Sequence, residues 1–129
     1  GNKTLKYLRD GVGINFMKYL SEFKQNQKSD YKLFKEKLPL WQENYMAKVC
    51  EKIQKLTIND EKSAADKFWA IEKTIFKEKK NPGVLMEIPS ISNLLYAILD
   101  LLNHKVIKME DLVDFSEEFK EKVEKIQNL

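Results

Sequence analysis

Apolar residues recur at three- and four-residue steps along most of the chain, the spacing that gathers them on one face of an α-helix. The first run joins Leu5, Leu8, Val12, Phe16, Tyr19, Leu20 and Phe23. Gly11 and Gly13 interrupt it, and each costs about 1 kcal/mol relative to alanine in a helix interior. A break or bend is therefore expected near residues 10 to 13. A polar link from Gln25 to Ser29 follows, with Ser29 placed to cap a short helix carrying Tyr31, Phe34 and Leu38. Pro39 ends that helix and suits the first turn of the next, which runs through Trp41, Tyr45, Val49, Ile53 and Leu56. A fourth helix, from roughly Glu61 to Lys79, has Ala65, Phe68, Trp69, Ile75 and Phe76 as its apolar side.

The helical pattern stops at residues 81–90, NPGVLMEIPS. Asn81, Pro82 and Gly83 are turn chemistry: proline presets one φ, and glycine accepts a positive φ at the next position. Pro89 pushes Ile88 toward an extended backbone, and Ser90 stands where an N-cap belongs. The helix it introduces, with Ile91, Leu94, Leu95, Ile98, Leu101 and Leu102, is the most apolar element and is expected at the centre. After an exit at Asn103 to Lys105, Met109 to Phe115 reads as a short helix. Ser116 then caps a last one carrying Phe119, Val123 and Ile126. Strand signals are almost absent. The predicted architecture is all-α, a single domain over residues 1–129 with five or six helices around one core. An apolar Pro/Gly connector precedes its central hydrophobic helix.

Composition supports a folded chain: 129 residues, 43% hydrophobic and 11% aromatic, fall in the globular range. The lone Cys50 permits no intramolecular disulfide and points to a reducing, cytoplasmic setting. Its spacing from Met46 and Ile53 predicts a buried, inert thiol. No apolar run approaches the roughly 18 residues that cross a bilayer, and the first residues hold no signal-peptide core, so no membrane attachment is expected. Charge is uneven. Residues 1–80 carry a net +7 and residues 81–129 a net −4, together the +3 of the chain.

Candidate chemistry is sparse. His104, the single histidine, lies at a helix exit, where it reads as a capping residue. One histidine and one cysteine without ligand spacing predict no metal site, and no nucleophile has a base beside it, so neither catalytic residues nor a cofactor are expected. Asp111, Asp114, Glu117, Glu118, Glu121 and Glu124 interleave with lysines at i, i+4, the mark of a solvated helix face. Trp41 and Trp69 both lie on apolar faces, where a core role is the default.

Two surfaces remain. Trp69, Phe76, Val84, Leu85, Met86 and Ile88 form the expected contact area of a non-catalytic module that binds another protein or itself. Lys24, Lys28, Lys32, Lys35 and Lys37, interleaved with Tyr31 and Phe34, form the alternative, a nonspecific nucleic-acid-binding accessory surface. Of the 23 basic residues only Arg9 is arginine, which disfavours reading of base sequence. A small-molecule pocket beside the central helix is a third reading.

Overall fold

A single helix, α1 (Val12–Thr57), runs unbroken where the periodicity predicts three. The computed structural model describes residues 12–129, so the expectations on Leu5, Leu8 and Gly11 lie outside the described residues. At 1.5 Å per residue α1 is about 69 Å long. The predicted link at 25–29 is helical because Gln25, Gln27 and Lys28 are good helix formers. Ser29 does not cap; its Oγ donates to the Asn26 carbonyl at 3.1 Å, which satisfies the hydroxyl inside the helix.

Pro39 also fails to end the helix. It removes one donor and disfavours continuation by about 3 kcal/mol. Phe34, Leu38 and Trp41 surround it in sequence and are all buried, each contributing about 1.5–3 kcal/mol. Their burial on one continuous face outweighs the proline. Lys35 and Pro39 are exposed, so the carbonyl that loses its partner faces water.

Helix α2 (Ala64–Glu78) turns back along the C-terminal part of α1. Asn59 Oδ1 accepts from the Glu61 N–H at 3.0 Å within the turn, and the helix starts at Ala64 and not near Glu61 because Ser63 caps it, accepting from the Asp66 N–H at 3.1 Å. Tyr45 of α1 donates its O–H to the Glu78 carboxylate near the other end of α2.

The connector then turns on Asn81, whose Oδ1 accepts from the Gly83 N–H at 2.8 Å. Gly83 is needed for a different reason from the one predicted. Its backbone is not left-handed; a Cβ there would lie 2.5 Å from the Tyr45 ring and 2.9 Å from Val106 Cγ2. The chain next runs antiparallel beside α1, tied at both ends. Gln42 Nε2 donates to the Pro82 carbonyl at 3.1 Å, and the Tyr31 O–H donates to the Pro89 carbonyl at 2.7 Å.

A 3-10 turn (Ile91–Asn93) leads into α3 (Leu94–Asn103), which buries Leu94, Ala97, Ile98 and Leu101. Ser90 makes no capping bond; its Oγ lies 3.1 Å from Ser92 Oγ. α3 closes with the Val106 N–H on the Leu101 carbonyl and the Lys105 N–H on the Leu102 carbonyl, and Lys105 takes a φ of 59°. This is a Schellman exit with lysine in the position glycine usually holds. The short helix expected over 109–115 is only a 3-10 turn (Met109–Leu112), followed by α4 (Glu117–Gln127) capped by Ser116. Among the described residues there are thus four α-helices, two 3-10 turns and no strand.

Phe34, Leu38 and Trp41 of α1 meet Ile98 and Leu101 of α3, Leu112, Phe115 and Val123 in one core. Trp41 stacks on Phe115 and meets Phe34 edge-on, each at 6.2 Å between ring centroids. Asp30, buried in α1, accepts from the N–H and Oγ of Ser116 at 2.8 and 2.6 Å and so ties α1 to the start of α4. The core grips the middle of α1, and no residue of α2 belongs to it.

Candidate functional site

Half-buried Lys67, Ala70, Ile71, Thr74 and Glu78 mark the side of α2 that faces α1. The bulkiest apolar residues point elsewhere, contrary to the core role expected by default of Trp69. Phe68, Trp69 and Phe76 are 62%, 64% and 57% exposed, Ile75 is exposed as well, and α2 has no buried residue at all. At 100° per residue, the apolar positions of α2 cover an arc of about 260°. A helix apolar over that much of its circumference needs a neighbour on more than one side, and α1 supplies one. The α1 side of the seam, Met46, Val49, Ile53 and Leu56, is likewise only half-buried, because two helices alone cannot enclose the residues between them.

The outer face of α2 carries a shallow groove lined by Phe68, Ile71, Glu72, Ile75, Phe76 and Lys79. Phe68 and Trp69 meet edge-on at 5.1 Å, and Lys80 Nζ sits 4.8 Å above the Phe76 ring. Glu72 and Lys79 form no ion pair among the described residues. At the seam, burial first, then the hydrogen bond and charge of Glu78, push the Tyr45 phenol up to about 12.

The six residues expected to form a contact surface divide. Trp69 and Phe76 lie on the bare face of α2. In the connector, Val84 and Met86 are half-buried, with Met86 packed on the core, whereas Leu85 is 72% exposed and Ile88 is also exposed. The periodicity does not single out Phe68, Ile75, Glu72 or Lys79 as site residues. The signal that marks them is the width of the apolar arc, which is too great for a helix with one neighbour.

The continuity of α1 aligns Lys24, Lys28, Lys32 and Lys35 within an arc of about 80° over about 16 Å. All four are exposed, and Lys35 lies 4.7 Å over the Tyr31 ring. Lys37 leaves the stripe: it is half-buried, with its Nζ 3.5 Å from Asp114. Phe34 is buried and Tyr31 half-buried, so neither is free to stack on a base.

Cys50 is exposed, not buried, because α1 turns Val49 and Ile53 toward α2 and leaves Cys50 on the flank. His104 Nδ1 lies 2.9 Å from the Asp100 carbonyl and 3.1 Å from its carboxylate, at the end of α3. Of the acidic run, Asp111 accepts from the Lys108 N–H, Glu117 pairs with Lys120 at 2.8 Å, and Glu118 lies 4.0 Å from Lys122. Among the described residues no three His, Cys, Asp or Glu side chains are placed to share a metal ion.

A half-enclosed hollow of about 160 Å³ lies between α1, α3 and α4, lined in part by Phe23, Leu94, Leu95 and Phe119. It is smaller than the roughly 300–1,000 Å³ of small-molecule sites, and Asp30 on its wall is already occupied by Ser116. No helix among the described residues is long and apolar enough to cross a membrane. Comparisons with family models, with curated proteins and with solved structures returned no match.

Proposed function

We propose that this chain is a non-catalytic cytoplasmic module that folds as one domain and works by docking the outer face of α2 against a protein surface. The observation that carries this reading is a helix with four large apolar side chains exposed and none buried. Covering such side chains is worth about 1.5–3 kcal/mol each, and contiguous exposed apolar patches mark interaction sites. Leu85 and Ile88 extend the contact area into the connector. A photo-crosslinking phenylalanine analogue at Phe76, expressed in the native cells, is expected to give one discrete protein adduct. The adduct should vanish with Phe68→Glu and be missing when the probe stands at Lys77. No adduct from Phe76 would overturn the reading.

The alignment of four lysines on α1 favours a second reading, nonspecific binding of a nucleic-acid backbone. Four phosphate contacts predict a slope of about −3.6 in log affinity against log salt on duplex DNA, and Lys28→Glu with Lys32→Glu should roughly halve it. Absence of binding near 50 mM salt, where such contacts are strong, would remove this reading.

A further inference from the structure

We infer that the occupant of the α2 face is a second copy of this chain, with the two α2 helices antiparallel about a two-fold axis between Ile75 and Phe76. This rests on the docking reading above and names the partner. The ground for it is the placement of charge. Glu72 and Lys79 lie along the midline of the bare face, with Phe68 and Ile75 to one side and Trp69 and Phe76 to the other. Any partner that covers the aromatics must also cover these two charges, and a covered charge without an opposite neighbour is strongly destabilising. The two are seven residues apart, about 10 Å along the axis.

An antiparallel copy in this register sets Glu72 opposite Lys79 of the second copy, and Lys79 opposite its Glu72. Ile75 then meets Ile75 of the second copy on one side of the midline, and Phe76 meets Phe76 on the other. The face is therefore complementary to itself, as a two-fold interface requires. A parallel copy in register would instead oppose Glu72 to Glu72 and Lys79 to Lys79, so the charges also choose the direction. In the antiparallel register Phe68 and Trp69 of one copy reach the end of the other α2, where the connector with exposed Leu85 begins. Three aromatics and an isoleucine at these exposures offer about 400 Å² per copy, half of the roughly 800 Å² per partner in a standard interface. The dimer is accordingly weak, with a dissociation constant in the micromolar range.

Sedimentation of the purified chain, from roughly 1 µM to 1 mM, is expected to show a monomer–dimer equilibrium. Glu72→Lys and Lys79→Glu should each weaken it tenfold or more, and the double exchange should restore it, with circular dichroism confirming that each variant stays helical. In a Cys50→Ser background, a short bis-thiol linker should join copies carrying Ile75→Cys. It should not join copies carrying Ala65→Cys, which stand about 30 Å apart in this arrangement. A chain that stays monomeric, a dimer indifferent to the single charge changes, or equal linking through position 65 would each overturn the inference. A monomer whose Phe76 probe still captures another protein would end only the choice of partner. A monomer without any adduct would end the docking reading too.

Discussion

At the residue scale, two positions hold backbone geometry that their neighbours impose. Gly83 packs where the connector crosses Tyr45 and Val106 with no room for a side chain. Gly83→Ala is expected to cost about 1–3 kcal/mol, the range for an overpacked interior, read as a lower urea midpoint at unchanged slope. Lys105 is the reverse case. It holds a left-handed φ of 59° that disfavours any residue with a Cβ by about 1–2 kcal/mol. Lys105→Gly should raise stability by about 1 kcal/mol, because the Schellman bonds are kept while the steric penalty goes. A neutral or destabilising result would show that the lysine side chain contributes something its backbone does not reveal.

At the scale of elements, α1 is the spine to which the connector, α2 and the start of α4 are tied by hydrogen bonds from its own side chains. Tyr31 and Gln42 hold the two ends of the connector, Asp30 holds the start of α4, and Tyr45 holds α2 through Glu78. The last tie has a pH dependence of fixed sign. The folded state raises the Tyr45 phenol from 10.0 to about 12, so it keeps its proton where the unfolded chain loses it. The contribution is complete below pH 10.0 and declines as pH rises toward about 12. Chemical denaturation of the native chain and of Tyr45→Phe across this window should show a stability difference that is constant on the neutral side and shrinks on the alkaline side. A difference that grows with pH would contradict the hydrogen bond to Glu78.

At the scale of the whole molecule, the core encloses the middle of a helix about 69 Å long, while α2 accompanies only its C-terminal end. A compact chain of this length has a radius of gyration of about 14 Å. The long spine with its mass gathered near the midpoint predicts about 18–20 Å. Small-angle scattering on dilute, monomeric protein checks this directly, and a value near 14 Å would mean that α1 folds back on itself. An elongated form also explains why α2 is so poorly covered, since it packs on the spine beyond the reach of α3 and α4.

Helical character, the central place of Leu94 to Leu102 and the cap at Ser116 could be found in the residues alone. They depend on spacing and on hydrogen bonds spanning a single turn. The fate of the breaker Pro39 did not: it reads locally as a boundary, and only burial of Phe34, Leu38 and Trp41 against distant α3 and α4 makes the helix continue through it. Trp41 and Trp69 make the same point about the candidate site. Both stand on apolar helical faces, yet one is 7% exposed in the core and the other 64% exposed on α2. Sequence by itself determined which faces are apolar, because that is periodicity; the tertiary structure decided which of them are covered, because burial depends on how many neighbours the fold brings to each face.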